Sequence, residues 1–324
     1  MTLGKIAKLA NVSISTVSKA FSGSSEISEE TKNFIYTVAK ENGCFEKYYK
    51  PKYDKKLIAV ICPELLGIHY SQMVTYMERE IEENGGTMLV SVSNFSAATQ
   101  SSLIEYYSKF AKVDGIIIIE PVGHVKNNSD VPIIQICYEN NSKSTHCVKM
   151  DISPGLNEAI STLKELGHTE IGFVGEKYTE TEYGYFKDFM EKNRMSINYD
   201  YIDVNDYRFY DCGYYGIDNL IKKQKLPTAV FSAYSHVTIG ILQRLSEAGL
   251  KVPEDISVIC MDDIKVEPHK ESDLSCIQMH MSDLCSEAIH LMFRIFQSYC
   301  SSTKHVITVE RQFNRGRSIT VARK

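Results

Sequence analysis

The 324-residue sequence predicts an N-terminal all-α helix-turn-helix head followed by a two-lobed α/β body with doubly wound parallel sheets. Three short amphipathic segments within residues 1–46 predict the head. Short β-rich runs that alternate with helical stretches predict the body, residues 57–324, because such alternation is typical of parallel βαβ units. Residues 47–56, rich in Lys and Tyr, form a short linker or hinge between them.

The first two predicted helices form a helix-turn-helix. The segment LGKIAKLA places apolar side chains on one face of a helix, and Asn11-Val12 predicts the turn that follows. Ser13 can cap the second helix, because a serine hydroxyl accepts a hydrogen bond from the free N–H groups of a helix start. The residues expected to point inward are Leu3, Ile6, Ala7, Leu9 and Ala10 from the first helix and Val17, Ala20 and Phe21 from the second.

The third predicted helix completes the head. Ser28 caps the segment EETKNFIYTVAKEN, and Gly43 provides the left-handed stop that often ends a helix. Its inward-facing residues are predicted to be Phe34, Ile35, Val38 and Ala39.

The body alternates strands and helices throughout its length. The predicted strands are LIAVIC, TMLVSV, GIIII, PIIQIC, CVKMD, EIGFVG, TAVFSA and ISVICMD. Helices of 12 to 18 residues separate most of them, including one near 181–194 and a last one over 283–298. This length of alternation predicts two sheets rather than one, and ligands of such sheets bind beyond the carboxyl ends of the strands. The expected ligand site is therefore a cleft between two lobes.

Charge is distributed unevenly along the chain. Residues 1–56 hold ten Lys, no Arg and six acidic residues, whereas residues 57–324 hold 26 basic and 35 acidic residues. A basic head on an acidic body indicates a polyanionic partner for the head. The alternative interpretation is a solvated, Lys-rich helical surface.

The sequence predicts neither a metal site nor a cofactor. Its nine Cys include no C-x-x-C pair, and its nine His show no i, i+4 pairing. Several Cys lie inside apolar runs, which indicates reduced, buried thiols in a cytoplasmic protein. No apolar run reaches the roughly 18 residues that a membrane span needs.

No enzyme is predicted either. The phosphate-binding, nucleophile-elbow and zinc-protease motifs are all absent from the sequence. Asp262 and Asp263 are a carboxylate pair at a strand end, but adjacent residues of a strand point to opposite sides and cannot share a proton readily.

The second helix carries side chains suited to reading double-stranded DNA. In a major groove, Ile14, Ser15 and Lys19 would face outward, and Lys19 could reach a guanine edge. The small hydroxyls of Thr16 and Ser18 suit phosphate oxygens. Lys5, on the first helix, is a further DNA-binding candidate. The alternative is a three-helix bundle with a Ser-rich surface helix.

These motifs resemble the bacterial LacI/GalR transcription regulators. LGKIAKLANVSISTVSKAFSG and ISEETKNFIYTVAKENG resemble the family's head, and LKELGHTEIGFVG, PTAVFSA and LSEAGLKVPEDISVICMDD resemble its body. The resemblance covers nearly the whole chain. It implies a homodimer that reads a roughly palindromic DNA operator, and a periplasmic-binding-protein-like body whose cleft binds a small effector such as a sugar.

The linker departs from the family pattern. The family usually has a hinge helix that inserts a leucine into the minor groove, whereas CFEKYYKPKYDKK is shorter and contains Pro51, which would break a helix. Tyr48 or Tyr49 could replace that leucine as the wedge, and an extended Lys-rich tether that contacts phosphates is the alternative.

The cleft departs from the pattern as well. By alignment to the family, Tyr185 stands where an arginine usually contacts the ligand, and Tyr234-Ser235 replaces an Asn-Asp pair. The resemblance implies that the effector contacts are His69, Tyr70, Asp151, Tyr185, Tyr234, Asp262 and Gln278. Such a pocket would be richer in aromatic side chains and poorer in charge than is usual in the family, and tyrosines suit a sugar ring or a planar heterocycle.

The sequence therefore predicts an effector-controlled, DNA-binding transcriptional repressor. The alternative is a small-molecule-binding sensing module in which the altered hinge has weakened or abolished specific DNA binding. Salt-dependent binding to a specific operator separates the two hypotheses.

Overall fold

The computed structural model describes residues 1–49, 54–139, 144–263, 265–267, 270–271, 273–297 and 304–323. The chain divides into two compact units, a head of Met1–Lys56 and a body of Leu57–Lys324. Residues 50–53 of the predicted linker lie outside the described residues. Within the described part of the chain, every helix is too short or too polar to cross a bilayer.

The head is the predicted helical unit. Its helices are α1 (Leu3–Leu9), α2 (Ile14–Phe21), α3 (Glu29–Glu41) and the single turn α4 (Phe45–Tyr48). Ile6, Val17, Ala20 and Ile35 are fully buried and form the centre of its core. Ser28 caps α3 by accepting a hydrogen bond from the backbone N–H of Thr31, as the sequence predicted.

Two of the predicted core residues of the head are exposed. Leu9 and Phe34 keep 55% and 54% of their surface accessible. Each residue of an α-helix is rotated by about 100° from the previous one, so Phe34 falls beside the stripe formed by Ile35, Val38 and Ala39. Leu9 likewise falls outside the buried positions Ile6 and Ala7 of its helix.

The body contains 14 strands among the described residues. They are β1 (Lys56–Cys62), β2 (Gly86–Val92), β3 (Gly115–Ile119), β4 (Ile133–Cys137), β5 (His146–Asp151), β6 (Ile171–Glu176), β7 (Ile202–Asn205), β8 (Ala229–Ser232), β9 (Ser257–Cys260), β10 (Lys265–Glu267), β11 (Lys270–Glu271), β12 (Ser275–Gln278), β13 (Val306–Glu310) and β14 (Gln312–Asn314). The helices are α5 (Ile68–Glu83), α6 (Ala97–Glu105), α7 (Ser153–Glu165), α8 (Glu180–Lys192), α9 (Phe209–Lys222), α10 (Ser235–Glu247) and α11 (Met281–Gln297).

These strands form two six-stranded sheets and one small ribbon. The sheet orders are β13-β5-β4-β3-β1-β2 for lobe 1 and β14-β12-β9-β8-β6-β7 for lobe 2, with β10 and β11 paired separately. The neighbours of β3, β4, β8 and β9 are parallel to them, and β14 is antiparallel to β12. The prediction of two doubly wound parallel sheets is therefore confirmed.

Burial on both faces of the sheets explains the continuous apolar runs. In β3, Ile117 and Ile119 pack with one core cluster, while Ile116 and Ile118 pack with another on the opposite face. A strand covered by helices on both sides has no polar face, which is the pattern of GIIII.

The chain passes between the lobes three times. It leaves lobe 1 after β5 and enters α7, returns after β12 through α11, and passes from β13 to β14 at Arg311. Backbone hydrogen bonds tie two of these connections together, since the N–H of Arg311 donates to the carbonyl of Asp151 (2.8 Å) and the N–H of Gly155 donates to that of Arg311 (3.1 Å). The connections therefore join the lobes at one place.

The eight cysteines among the described residues are buried, as the sequence predicted. Cys137 and Cys147, on adjacent strands, bring their sulfur atoms within 3.3 Å of each other.

Candidate functional site

Helix α2 presents a polar, exposed surface at its first turns. The Ser13 side chain accepts a hydrogen bond from the backbone N–H of Thr16 at 3.0 Å, which is the predicted N-cap. Val17, Ala20 and Phe21 face the core, so the opposite face, with Ile14, Ser15 and Ser18, is exposed. Ile14 keeps 58% of its surface accessible, an unusual exposure for a large apolar side chain at a helix start.

The turn before α2 sets the position of this helix. Asn11 has a φ of 53°, in the left-handed region that Asn tolerates better than most residues. The backbone N–H of Val12 donates to the carbonyl of Ala7 at 3.0 Å, which ties the turn to α1. Local hydrogen bonds therefore stabilise the predicted helix-turn-helix.

The other predicted DNA-binding residues lie in different environments. Lys5 is exposed on α1, and the ammonium of Lys19 lies 2.5 Å from Glu26. Lys19 and Glu26 keep 43% and 67% of their side chains exposed, and a solvated pair of this kind is weak enough for Lys19 to exchange partners. The hydroxyl of Thr16 is engaged with Ser13 at 2.7 Å and is half-buried.

Tyr48 and Tyr49 pack against other residues of the head and do not project from it. The Tyr48 hydroxyl donates to the carbonyl of Met1 at 2.7 Å. Tyr49 stacks on Phe45 with ring centroids 4.4 Å apart and meets the edge of Tyr36 at 5.3 Å. A wedge role would require either ring to leave this cluster.

The body holds a cavity between its two lobes, with about 620 Å³ of empty space, part of it open to solvent. Residues at or just beyond the carboxyl ends of β1, β3, β4, β6, β8 and β9 line it, as expected for doubly wound sheets. The lining carboxylates are Glu64, Glu120, Glu176, Glu182 and Asp262. The lining aromatic residues include Tyr70, Phe95, Tyr138, Tyr178, Phe209 and Tyr234.

His69 connects two of these carboxylates across the cleft. Its Nε2 lies 3.5 Å from Glu120 of lobe 1, and its Nδ1 lies 3.4 Å from Asp262 of lobe 2. Burial favours the neutral ring, but the negative charges of Asp262 and Glu120 outweigh it and raise the pKa of His69 to about 10. The same ring offsets the burial of Asp262 and lowers the pKa of that carboxyl to about 2. His69 is therefore an imidazolium at neutral pH.

Arg311 places a fully buried guanidinium at the back of the cavity. Its Nη1 donates to the carbonyl of Met261 at 3.0 Å and lies 4.0 Å from Asp262. The guanidinium carbon lies 5.4 Å from the ring centroid of Tyr138. Its Nε is buried and has no hydrogen-bond partner among the described residues.

Arg208 links the two lobes near the cavity opening. Its guanidinium lies 2.8 Å from Glu64 of lobe 1 and 2.7 Å from Glu176 of lobe 2. It also lies over the rings of Tyr178 (4.7 Å) and Phe209 (4.5 Å), which adds cation–π attraction. The hydroxyl of Tyr234 donates to Glu176 at 3.0 Å from the other side.

Glu182 faces the cavity from α8. It accepts a hydrogen bond from the hydroxyl of Tyr138 in lobe 1 at 3.0 Å. Burial and the nearby charge of Glu120 raise the pKa of Glu182 to about 7. This carboxyl therefore titrates close to neutral pH.

Four of the seven predicted effector contacts line the cavity. These are His69, Tyr70, Tyr234 and Asp262. The other three lie elsewhere. Asp151 and Gln278 end strands that lead into lobe connections, and Asp151 accepts a hydrogen bond from the backbone N–H of Ser153 at 3.1 Å. Tyr185 packs beside the ring of Tyr138, 5.8 Å between centroids, and Glu182, one helical turn earlier, is the residue that lines the cavity.

The pocket holds more charged side chains than the sequence identified. Five carboxylates and the cations of His69, Arg208 and Arg311 line it. Three of the missed carboxylates, Glu64, Glu120 and Glu176, end or follow predicted strands, so strand-end position was a readable signal for them. Arg208 and Arg311 carry no such signal, because connections distant in sequence bring them to the cavity.

Comparison with known proteins follows the same division of the chain. Residues 2–44 match the profile of bacterial regulatory proteins of the lacI family, and residues 160–319 match a periplasmic binding protein-like domain. The HTH-type transcriptional regulator AscG of Escherichia coli (strain K12) is 27% identical over 304 residues, covering 89% of this chain and 90% of AscG.

Solved structures share the fold over nearly the whole chain. The Lac repressor dimer bound to operator and the anti-inducer ONPF superposes with a TM-score of 0.71 at 18% identity, covering 99% of each chain. A complex of the transcriptional regulator CelR with cellobiose superposes with a TM-score of 0.67 at 21% identity, covering 98% of this chain and 99% of CelR.

Proposed function

The chain belongs to the LacI/GalR family of bacterial transcription regulators, and from this premise we propose that it represses its target genes under the control of a sugar effector. It is a DNA-binding regulator by its family. The proposal has four finer parts: the protein represses transcription, it acts as a homodimer, its operator is roughly palindromic, and its effector is a sugar.

The exposed N-terminal half of α2 carries the proposal for DNA. Ile14, Ser15 and Ser18 lie free on its outer face, and Lys19 stands next to them in a weak surface pair. Short side chains let the helix approach base edges closely, and a lysine with an exchangeable partner can pair with guanine. Two copies of this head in a homodimer would read two half-sites about one helical turn of DNA apart.

The chemistry of the cavity supports a sugar. Carboxylates such as Glu120 and Asp262 accept hydrogen bonds from hydroxyl groups, and aromatic rings such as Tyr70 and Tyr234 offer flat apolar faces to a sugar ring. The cavity lies between the lobes and is partly open to solvent, so a small ligand can enter it. CelR, which shares the fold, was solved in complex with cellobiose.

The contacts across the cleft suggest how an effector acts. Glu64–Arg208, His69–Asp262 and Tyr138–Glu182 each join lobe 1 to lobe 2 through a polar contact. A ligand that replaces or extends these contacts would change the free energy of lobe closure. It can control DNA binding only if it binds the open and closed forms of the body with different affinities. In a homodimer the change would alter the spacing of the two heads.

Selection of genomic DNA tests the proposed function. The purified protein is incubated with fragmented host DNA at moderate salt, with and without a panel of sugars, and the retained fragments are sequenced. We expect enrichment of a short palindrome that one sugar abolishes or enhances. Absence of enrichment from a folded, dimeric protein would contradict specific DNA reading and favour the sensing-module alternative.

Equilibrium sedimentation tests the dimer. We expect a dimer at micromolar concentration, because palindromic half-sites require two heads. A monomer under these conditions would contradict recognition of a palindrome.

A further inference from the structure

Glu182 differs from the other carboxylates of the cavity because, among the described residues, no cation lies within ion-pair distance of it, although Arg311 attracts it from farther away. Glu64 and Glu176 share Arg208, at 2.8 Å and 2.7 Å. Glu120 and Asp262 share His69, and Arg311 lies 4.0 Å from Asp262. Glu182 instead accepts one hydrogen bond from the neutral hydroxyl of Tyr138.

The cavity consequently holds more negative than positive charge. Five carboxylates line it, and the three permanent or nearly permanent cations are His69, Arg208 and Arg311. Each of these cations already lies beside one or two carboxylates. Glu182 is the carboxylate without a close ion pair, and its raised pKa reflects the cost of a buried negative charge that lacks such a partner.

A second space next to Glu182 is acidic as well. It has about 1230 Å³ of empty space, part of it open to solvent, and it shares Glu120, Tyr138 and Glu182 with the cavity. Exposed Glu139, Glu180 and Lys177 also line it. A space with this excess of carboxylates attracts cations and repels anions.

A buried donor at the back of the cavity indicates the other half of the ligand. Arg311 is 1% exposed, and its Nε has no partner within the described residues. A buried guanidinium N–H without a partner costs free energy, so an oxygen acceptor supplied by a ligand would stabilise the complex. Hydroxyl and ring oxygens of a sugar are acceptors of this kind.

We propose that the effector is a hydroxylated amine, and specifically an amino sugar, whose protonated amino group pairs with Glu182 while an oxygen accepts a hydrogen bond from Arg311. This inference rests on the proposed function, because it assigns a chemical class to the effector of the same cavity. Tyr138 lies beside both Glu182 and Arg311, and an aromatic ring favours a cation over its face. A neutral sugar would bring no cation to Glu182.

Matched pairs of sugars test the inference. The full-length protein is titrated calorimetrically with glucosamine, galactosamine and mannosamine and with glucose, galactose and mannose at the same pH. We expect one amino sugar to bind at least about tenfold more tightly than its neutral counterpart, the effect of one charge-assisted hydrogen bond. The N-acetyl derivative, which keeps the nitrogen but loses the charge and adds an acetyl group, should bind no better than the neutral sugar.

Two variants separate the role of Glu182 from a general effect of charge. Glu182→Gln keeps the shape and an acceptor for Tyr138 but removes the negative charge, and it should abolish the preference for the amino sugar. Glu191→Gln removes an exposed carboxylate at the other end of the same helix and should leave the preference unchanged. Thermal unfolding of both variants checks that they are folded.

The outcomes also separate this inference from the proposed function. If a neutral sugar binds as tightly as its amino counterpart and alters operator binding, the amine assignment is wrong and the sugar-controlled regulator stands. If no amino sugar binds, the inference is likewise wrong. The selection of genomic DNA then tests the proposed regulator function independently.

Discussion

At the scale of single residues, Lys19 is the side chain with the most direct consequence for DNA specificity. Its surface pair with Glu26 leaves it able to change partners. We expect Lys19→Ala to weaken binding to the specific operator by about 1 to 3 kcal/mol and to relax the preference at one base pair. Fluorescence anisotropy with single-base operator variants measures both effects.

Lys40→Ala is the matched control for this substitution, because Lys40 is exposed on α3 and carries the same charge. Its loss should weaken binding to operator and random DNA by similar, small factors. If Lys19→Ala also acted equally on both DNAs, Lys19 would be a phosphate contact and not a base reader.

Glu182 makes the stability of the body depend on pH. The pKa of Glu182 rises from 4.5 in the unfolded chain to about 7 in the folded protein. Its favourable contribution to the free energy of unfolding is therefore fully present below pH 4.5 and is lost as the pH rises through 7. Glu120, Tyr138 and Arg311 face it and are unchanged by Glu182→Gln. This variant should therefore gain stability relative to the native protein between pH 5 and pH 8.

Urea unfolding of both proteins at these two pH values measures the difference. A gain on the order of 1 to 2 kcal/mol is expected, less than the full shift implies because the side chain is partly exposed. A difference between the two proteins that is independent of pH would show that Glu182 is ionised throughout this range.

At the scale of elements, the Ser13 cap holds the start of α2. Ser13→Ala removes the acceptor for the N–H of Thr16 and should cost about 1 kcal/mol of local stability. Hydrogen exchange of the α2 amides in the full-length protein should then be about fivefold faster. Ser15→Ala, at an exposed position within the helix, is the control, and equal exchange in both variants would contradict the cap.

Helix α8 shows how a small rotation changes the chemistry of a site. Tyr185 and Glu182 are one turn apart, yet Glu182 lines the cavity while Tyr185 packs beside Tyr138. Alignment to a family motif assigned the tyrosine, and the packing of Phe186, Phe189 and Met190 against the sheet decided which side chain faces the cleft.

At the scale of the whole molecule, the ion pair between Glu64 and Arg208 couples the two lobes. Arg208→Gln leaves Glu64 and Glu176, both largely buried, without their cation, so we expect a loss of about 1 to 3 kcal/mol in the free energy of unfolding. A double-mutant cycle with Glu64→Gln should reveal a coupling of about 0.5 to 3 kcal/mol. Chemical denaturation of the four proteins gives these values.

The exposed pair Glu105–Lys109, 2.7 Å apart within one helical segment of lobe 1, provides the control cycle. It joins no lobes and is solvated, so its coupling should be clearly smaller than that of Glu64–Arg208. Equal couplings in the two cycles would mean that Glu64–Arg208 behaves as an ordinary surface pair and does not hold the lobes together.

Local patterns in the sequence determined the helix-turn-helix, its serine caps and the central strands of both sheets. Capping needs only neighbouring residues, and a strand buried on both faces reads directly as an apolar run such as GIIII. The edge strand β13 was not predicted, because its side chains alternate between exposed and half-buried and form no apolar run.

The sequence by itself also determined where a ligand site should lie, because carboxyl ends of parallel strands meet at one edge. Only the tertiary structure decided its chemistry. Arg311 reaches Met261 and Tyr138 through a connection between lobes, and Arg208 meets Glu64 across 144 residues of chain. Charges that balance a buried carboxylate act through space, and no local pattern records which distant residue supplies them.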